Sequence, residues 1–279
     1  MKKISRRSFL AAAGLSVAAL ALTACGGSAS SVASSVTSSA ASSAAASTSA
    51  AAGELTTVEA GKLTMATNAA FPPYEMTTDA GDFEGIDIET AQAIADKLGL
   101  ELQIDDMDFD AALLSVQQGK ADIVMAGVTV TDERKAVMDF SDSYATGIQS
   151  IIVPEGSDIA SPDDLAGKKI GTQRGTTGYI YCSDDFGDDS VVAYDDGLTA
   201  VQALNNGQVD AVVIDNAPAQ EFIAANPGLK ILDTSYAEED YAIGMAKNSP
   251  LEDAVNSVLE ELKADGTLQA IVDKYITAE

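Results

Sequence analysis

Short apolar runs alternate with amphipathic segments from Glu54 to the end of the chain. Short apolar runs predict strands, and apolar positions three and four residues apart predict helices. The pattern predicts strands at Lys62–Ala66, Glu101–Asp105 and Ile123–Met125, and helices at Asp87–Leu98 and Phe109–Gln118. Gly99 and Gly119 follow the two helices, at positions where glycine commonly ends a helix. This alternation is typical of an α/β fold with a mostly parallel sheet flanked by helices.

The second half of the chain repeats the alternation. It predicts strands at Tyr144–Val153, Lys168–Thr172 and Val209–Ile214, and helices that begin at Tyr179, near Ala217 and at Leu251. The long strand near Tyr144–Val153 and a return near Tyr241–Ala246 are predicted to cross between two lobes. Residues 54–146 and 240–279 would form lobe 1, with the C-terminal helical part packed on it, and residues 147–239 would form lobe 2.

An internal similarity supports two related lobes. The segment AALLSVQQGKADIVMAG from Ala111 aligns with TAVQALNNGQVDAVVID from Thr199, 88 residues later. Each copy predicts an amphipathic helix, a glycine stop and an apolar strand, with Gly127 or Asp215 at the carboxyl end. The alternative is that the two segments share only the general pattern of a helix followed by a strand, which would give the same few identities without a true repeat. If the repeat is meaningful, Gly127 and Asp215 face a shared cleft, because open α/β sheets bind ligands beyond the carboxyl ends of their strands.

The N-terminal segment has the pattern of an export signal. Four basic residues, Lys2, Lys3, Arg6 and Arg7, precede an uncharged stretch that ends at Ala24. Leu22 to Cys25 resembles a lipoprotein cleavage box, which implies a signal peptide at 1–24 and a diacylated Cys25. Residues 26–53 contain only Gly, Ser, Ala, Thr and Val, and they predict a flexible tether. Twin-arginine export and ordinary Sec export both remain open, and the stretch is short for a membrane span.

Composition excludes several classes of function. The chain has 16 Lys+Arg against 43 Asp+Glu and a net charge of −27, so polyphosphate would be repelled and we expect no nucleic-acid partner. It has no histidine, which excludes histidine-dependent triads and histidine-ligated metals. Once Cys25 is acylated, Cys182 has no cysteine partner and is predicted to be an inert or partly buried thiol. No cofactor or metal is expected.

Arg134 is the first candidate binding residue. The segment DIVMAGVTVTDERKAVMDFS, from Asp122, runs from an apolar strand into a predicted polar loop that presents this arginine. A guanidinium can bind a carboxylate with two parallel hydrogen bonds, and Gly127 and Thr129 would lie beside it. A surface ion pair with a nearby acidic residue is the alternative. That pairing would involve Asp132, Glu133 or Asp139.

The second predicted lobe offers complementary groups. Gln173, Arg174, Gly175, Thr176 and Thr177 link a strand to a helix, and free N–H groups at a helix start suit an anion. Asp215 follows an apolar strand and could hold an ammonium group. Helix capping would explain Thr176 and Asp215 equally well. With Arg134 for a carboxylate and Asp215 for an ammonium, the cleft would bind a zwitterion.

Aromatic and amide side chains complete the candidate cleft. Asn68, Phe71 and Glu75 follow the first predicted strand, and Phe109 opens a helix. Core packing is the alternative for both phenylalanines. Two prolines after Phe71 indicate a rigid loop that would hold an aromatic wall against a ligand.

From about Glu54 to Tyr275 the chain resembles a family 3 extracellular solute-binding protein, the amino-acid receptor of an ABC importer. Three segments carry the resemblance: GIDIETAQAIA from Gly85, the VTxTxxRxxxxxFS element from Val128 to Ser141, and the RGTTG loop from Arg174. Thr90 is polar where the first motif usually has an apolar residue. The resemblance implies a two-lobed periplasmic-binding-protein fold of type II, with two hinge strands, that closes on one amino acid.

The resemblance also implies roles for individual residues. Arg134, Thr176 and Thr177 would hold the ligand carboxylate, and Gly127, Thr129 and Asp215 its ammonium. Phe71 and Phe109 would sandwich the side chain, whose far end Asn68 and Gln173 would contact. In relatives selective for cationic ligands the Asn68 position is often aspartate, which weakens a lysine or histidine assignment here. Glu75 leaves arginine open, and we expect a polar amino acid.

These inferences predict a receptor of an amino-acid ABC transporter and not an enzyme. It would be monomeric, extracytoplasmic, anchored by a lipid at Cys25 to the outer face of the membrane, and would deliver its ligand to a permease. Two alternatives remain open: a dehydratase-like enzyme with the same fold, and a tethered amino-acid sensor.

Overall fold

The structure is a computed structural model that describes residues 55–276. The predicted signal peptide, Cys25 and the tether lie outside these residues. The strands are β1 (Lys62–Thr67), β2 (Ala70–Phe71), β3 (Glu75–Thr77), β4 (Phe83–Glu84), β5 (Glu101–Asp106), β6 (Ile123–Val124), β7 (Met138–Phe140), β8 (Ala145–Pro154), β9 (Ile170–Gln173), β10 (Val191–Tyr194), β11 (Ala211–Asp215), β12 (Leu229–Ile231), β13 (Ala237–Tyr241) and β14 (Gly244–Ala246). The helices are α1 (Ile86–Leu98), α2 (Phe109–Gln117), α3 (Asp132–Val137), α4 (Thr177–Phe186), α5 (Gly197–Asn205), α6 (Asn216–Ala225), α7 (Glu252–Ala264) and α8 (Thr267–Tyr275).

Two larger sheets organise these elements. The first has the order β5-β1-β6-β14-β7, and the second has the order β10-β9-β11-β8-β12, with β13 also paired to β8. In each sheet one strand, β14 or β8, runs antiparallel to its neighbours. The prediction of two mostly parallel sheets flanked by helices is therefore confirmed. A small hairpin sheet, β2-β3-β4, lies beside the first sheet and carries Phe71 and Glu75.

Apolar side chains cover both faces of each sheet. The core on one face of the first sheet includes residues from α1, α7 and α8, and the core on the other face includes residues from α2. Two further clusters lie on the second sheet. Because side chains on both faces of the sheet are covered, β6 and β11 consist of continuous apolar runs. Burial of each large aliphatic side chain contributes about 1.5–3 kcal/mol to the stability of the fold. The predicted packing of the C-terminal helices on the first lobe is confirmed.

Strands β8 and β13 pair antiparallel where the chain crosses between the two sheets. Ala145 pairs with Tyr241 at one end, and Gln149 pairs with Ala237 farther along. The chain passes from the second sheet to the first between the end of β13 at Tyr241 and the start of β14 at Gly244, within the predicted return at Tyr241–Ala246. The exact division into lobes at 146/147 and 239/240 stays a prediction.

The internal repeat appears in the backbone as well as in the sequence. Gly119 and Gly207 follow α2 and α5 and both adopt the left-handed conformation, with φ of 65° and 69°. Three residues later, Asp122 and Asp210 each accept a hydrogen bond of 2.8 Å from a backbone N–H next to their strand, that of Thr64 or Lys169. Both copies therefore tie a helix end to the neighbouring parallel strand. The ends of β6 and β11 consequently bring Gly127 and Asp215 to the same cleft.

We predict that Asp122→Ala destabilises the fold more than Asp210→Ala. Asp122 is buried and also accepts a 2.7 Å hydrogen bond from Val58 N, whereas Asp210 is exposed. Loss of a buried acceptor leaves donors unpaired and should lower the free energy of unfolding by about 1–3 kcal/mol. Urea denaturation of both variants measures the difference, and equal losses would contradict this account.

Candidate ligand-binding site

A cleft lies at the carboxyl ends of strands from both sheets. It brings together all ten residues that the sequence marked as candidates for ligand binding. These are Asn68, Phe71, Phe109, Gly127, Thr129, Arg134, Gln173, Thr176, Thr177 and Asp215. Six other residues also line it: Glu75, Ala126, Gln149, Val213, Ile214 and Tyr241.

Arg134 is buried in this cleft rather than paired on the surface. It lies in the short helix α3, not in the predicted loop, and only 8% of the residue is exposed. Its Nη1 donates to Thr129 O at 2.8 Å, its Nη2 donates to Gly175 O at 3.1 Å, and its guanidinium lies 5.3 Å from the centre of the Phe109 ring. Burial lowers the pKa of Arg134. No carboxylate among residues 55–276 forms an ion pair with it, so donors remain for an anion.

Among residues 55–276, none of the proposed surface partners Asp132, Glu133 and Asp139 forms an ion pair with Arg134. Asp139 forms an ion pair of 2.5 Å with Lys247 and accepts a hydrogen bond from Asn248 N. Thr131 caps α3 by accepting from the backbone N–H of Arg134 at 3.2 Å. The surface-pairing alternative is therefore wrong.

The loop from β9 to α4 presents a helix start to the cleft. Thr176 is the N-cap of α4: its hydroxyl accepts from Tyr179 N at 3.4 Å and donates to Gln173 O at 2.8 Å. Gly175 has a φ of 73°, and a Cβ there would lie 1.6 Å from Asp110 Oδ1 on the opposite lobe. Only glycine permits this close approach. Thr176 thus both caps the helix and lines the cleft.

Asp215 has the same double role. As the N-cap of α6, it accepts from Ala217 N at 3.0 Å through Oδ1. Its Oδ2 accepts from Ile148 N at 2.8 Å and from the Tyr241 hydroxyl at 2.9 Å. Burial raises the pKa of Asp215 to about 6. The carboxylate is therefore held rigidly and is mostly ionised at neutral pH.

The two phenylalanines belong both to the packing and to the cleft wall. Phe109 is a member of the α2 core cluster, and Phe71 packs against core clusters of both sheets. The Phe71 ring stacks on Tyr74 with centroids 5.8 Å apart. A Cβ on Gly127 would lie 2.9 Å from the Phe71 ring, so this glycine also permits close approach.

Amide side chains join the lobes at another part of the cleft. Gln173 Nε2 donates to Asn68 Oδ1 at 2.8 Å, and Asn68 Nδ2 donates to Met107 O at 3.0 Å. The two residues that the family resemblance assigned to the far end of the ligand are therefore in direct contact.

Glu239 on β13 was missed by the sequence reasoning. Its Oε2 accepts three hydrogen bonds of 3.0 Å, from Thr129 Oγ1, Thr177 Oγ1 and Gln149 Nε2. It therefore links candidate residues of both lobes through a crossing strand. No sequence signal indicated it, because Glu239 lies between two other acidic residues, Glu238 and Asp240, which are exposed in the structure.

A pair of buried carboxyl groups, Glu75 and Asp87, lies at one side of the cleft. Glu75 lines it directly, whereas Asp87 accepts a 3.0 Å hydrogen bond from the N–H of Gly127 through Oδ2. Neither Glu75 oxygen has a hydrogen-bond partner among residues 55–276. Burial, and then the charge of Asp87, raise the pKa of Glu75 well above its usual range. The sequence analysis treated Asp87 only as the first residue of a helix. An acidic residue in the first turn of a mostly apolar helix is nevertheless a signal that could have marked it as a candidate.

Residues 63–278 match the model of the bacterial extracellular solute-binding proteins, family 3. The chain belongs to this family.

Individual relatives agree with that assignment. The chain is 33% identical over 226 residues to the L-cystine-binding protein TcyJ of Escherichia coli, which covers 79% of this chain and 85% of that protein. The crystal structure of the arginine-, lysine-, histidine-binding protein ArtJ from Geobacillus stearothermophilus has a TM-score of 0.75 at 34% identity, covering 78% of this chain and 96% of that chain. An ancestral arginine-binding protein bound to arginine has a TM-score of 0.73 at 42% identity, covering 77% and 98%.

Membership of family 3 confirms several expectations. The two-lobed periplasmic-binding-protein fold is confirmed, as is the role of an amino-acid-binding receptor of an ABC importer. Family 3 proteins are extracellular binding proteins, and the relatives are named for binding rather than for catalysis. None of the helices within residues 55–276 has the length and apolar character of a membrane span.

Cys182 lies apart from the cleft of this family 3 protein. It is fully buried in a core cluster of the second sheet. Burial raises its pKa to about 12, so its thiol is almost entirely protonated at neutral pH. Cys182 is thus more deeply buried than the expected inert or partly buried thiol, and its inertness stays a prediction.

Proposed function

We propose that this protein captures an amino acid with a cationic side chain, closes around it, and delivers it to the permease of an ABC importer. The observation that carries the cationic preference is Glu75, a buried carboxyl group that lines the cleft without a hydrogen-bond partner among residues 55–276. A buried carboxylate is costly unless it is paired, and a ligand cation supplies the missing partner.

The backbone groups of the ligand fit a zwitterion clamp. Arg134 has N–H donors beyond the two that reach Thr129 O and Gly175 O, and it faces the start of α4. We assign the ligand carboxylate to Arg134, Thr176 and Thr177. The ligand ammonium is assigned to Asp215, Thr129 and Gly127, where Asp215 supplies the negative charge.

The side chain of the ligand would lie between the aromatic walls. Phe71 and Phe109 form apolar surfaces, with Asn68, Gln173 and Glu75 as polar groups of the same cleft. Among the residues that line it, Arg134 is the single cationic one, against the carboxyl groups of Glu75 and Asp215. Glu239 adds a further negative charge beside Thr129 and Thr177. A ligand with a net positive charge balances this excess.

A groove beside the cleft also carries an excess of negative charge. This groove shares Phe109 with the cleft and is lined by Asp108, Asp110 and Asp195, with Arg174 as its cation. Exposed carboxylates beside a cleft attract cations and raise their association rate. The names of the two compared structures, which include arginine, support the same choice of ligand class.

Hinge closure is the proposed mechanism. Three links cross the cleft: Arg134 to Gly175 O, Gln173 to Asn68, and Thr129 and Thr177 to Glu239. These contacts break when the lobes separate about β8 and β13, and a ligand bound to both lobes favours the closed form. We also propose a monomer that is anchored through a lipid on Cys25 and that does not convert its ligand.

Thermal unfolding of the purified, dialysed protein with each of the twenty amino acids, ornithine, citrulline and cystine tests this function. A ligand at about 100 times its dissociation constant should add about 2.7 kcal/mol of stability. We expect arginine, lysine or ornithine to give the largest shift. A largest shift with an acidic or apolar amino acid would contradict the cationic preference, and recovery of an altered ligand would indicate an enzyme.

A further inference from the structure

Two carboxyl groups lie close together beneath the cleft: Glu75 at the start of β3 and Asp87 in the first turn of α1. Both residues are fully buried, and three of their four carboxyl oxygens lack a partner among residues 55–276. The fourth, Asp87 Oδ2, accepts from Gly127 N at 3.0 Å. The two carboxyl groups are close enough for the charge of Asp87 to raise the pKa of Glu75. A buried carboxyl group without a hydrogen-bond partner or a cation favours its protonated, neutral form.

The surroundings favour one proton on this pair. Asp106 at the end of β5 adds negative charge near Glu75, and the Tyr144 hydroxyl faces Asp87. Tyr74 lies next to the pair, and burial, followed by the charge of Asp215 across the cleft, raises the pKa of its hydroxyl. No lysine or arginine among residues 55–276 forms an ion pair with Glu75 or Asp87. Two adjacent carboxylates without a cation cannot both be ionised at low cost.

The pKa shifts agree with this geometry. Burial, and then the charge of Asp87, raise the pKa of Glu75 well above its usual range. Burial raises the pKa of Asp87 to about 6, against the hydrogen bond from Gly127 N, which lowers it. Near neutral pH the proton therefore resides mainly on Glu75, and Asp87 is the charged member of the pair.

We propose that the side-chain cation of the ligand displaces a proton that Glu75 holds beside Asp87, so that binding releases a proton to solvent. The inference rests on the proposed function. Glu75 loses its proton and becomes the carboxylate partner of the ligand cation, which keeps its own charge throughout. Asp87 is a positioning residue: it does not line the cleft, but it sets the charge state of Glu75 and holds Gly127.

The direction of the pH dependence follows from linkage. Because the complex binds fewer protons than the free protein and ligand, affinity for the cationic ligand rises with pH, by at most about tenfold per pH unit for one proton. Asp215 also titrates, with its pKa raised by burial, and it faces the ammonium that every amino acid carries. A neutral ligand of the same shape corrects for that contribution. Citrulline is this control, because it replaces the guanidinium of arginine by a neutral ureido group.

Isothermal titration calorimetry at neutral pH, in buffers with different ionisation enthalpies, counts the protons released. For the purified protein we expect arginine to release up to one proton more than citrulline. Glu75→Gln should abolish this excess. Asp87→Asn should reduce it, since the amide oxygen still accepts from Gly127 N while the neighbouring charge is removed. If citrulline binds too weakly, arginine binding to the protein and to Glu75→Gln gives the same difference.

The outcomes separate this inference from the proposed function. Arginine that binds tightly and releases no more protons than citrulline overturns proton displacement and leaves the receptor function intact. An unchanged excess in Asp87→Asn overturns the role of Asp87. A protein that binds no cationic amino acid overturns the proposed function and, with it, this inference.

Discussion

Arg134→Ala is expected to weaken amino-acid binding by at least about 100-fold. Truncating one partner of a buried, hydrogen-bonded charge pair costs about 2–5 kcal/mol, and Arg134 is the only cationic group within residues 55–276 that lines the cleft. Arg134→Lys keeps the charge but not the two-pronged geometry, so we expect an intermediate affinity. Calorimetric titration with the ligand found by thermal unfolding gives the dissociation constants.

The matched control is Arg174→Ala. Arg174 directly precedes Gly175, whose carbonyl oxygen accepts from Arg134. Its side chain, however, is 56% exposed and pairs with Asp195 at 3.3 Å. Its loss should change affinity by less than about threefold, since exposed ion pairs contribute about 0–1 kcal/mol. Because Arg134 also donates to Thr129 O and Gly175 O, urea denaturation of Arg134→Ala must show a folded protein. A folded Arg134→Ala with near-normal affinity would rule out the clamp.

Glu75→Gln is expected to weaken arginine binding by about 100-fold and to change citrulline binding little. The substitution keeps the shape of the side chain but removes the carboxylate that pairs with the ligand cation, a loss within the range of about 2–5 kcal/mol for a buried charge pair. Titration of both ligands into the variant measures the selectivity.

The control for this change is Glu84→Gln. Glu84 lies on the neighbouring strand β4 but is exposed and outside the cleft. It should leave both affinities unchanged. Equal weakening of arginine and citrulline by Glu75→Gln would indicate a structural role for Glu75 and no selective contact with the cation.

The sequence predicted most of the elements because their periodicity reflects burial. β1, α1, β5 and α2 begin and end within about two residues of the predicted bounds, a normal uncertainty for such boundaries. α4 begins at Thr177, two residues before Tyr179, because Thr176 is already the cap. Such differences concern helix caps and do not alter the packing.

The candidate residues were also predictable, because the resemblance to family 3 assigned them and loops at strand ends meet at one edge of a sheet. The partners of these residues were not predictable. Arg134 donates to Gly175 O, which is far away in the sequence and lies on the opposite lobe, so no local pattern indicates the contact. Glu239 lies in a run of acidic residues that resembles a solvated surface, and only its pairing in β13 turns its side chain inward.

Glu75 shows the same limit most clearly. The sequence places it after two prolines, but its full burial beside Asp87 depends on how the β2-β3-β4 hairpin packs against α1. Gly85 illustrates this packing, since a Cβ there would lie 2.2 Å from Tyr74 O. The charge distribution in the cleft, on which the proposed class of ligand rests, becomes visible only in three dimensions.

The ratio of the dissociation constants of citrulline and arginine, measured by calorimetric titration of the purified protein at neutral pH, tests the central claim most directly. The two ligands share the α-carboxylate and α-ammonium groups that Arg134 and Asp215 are proposed to bind. They differ in the side-chain charge that Glu75 is proposed to contact. We predict that arginine binds at least about 30-fold more tightly, a difference of about 2 kcal/mol. Equal affinity for the two ligands, or tighter binding of citrulline, would contradict a receptor for cationic amino acids.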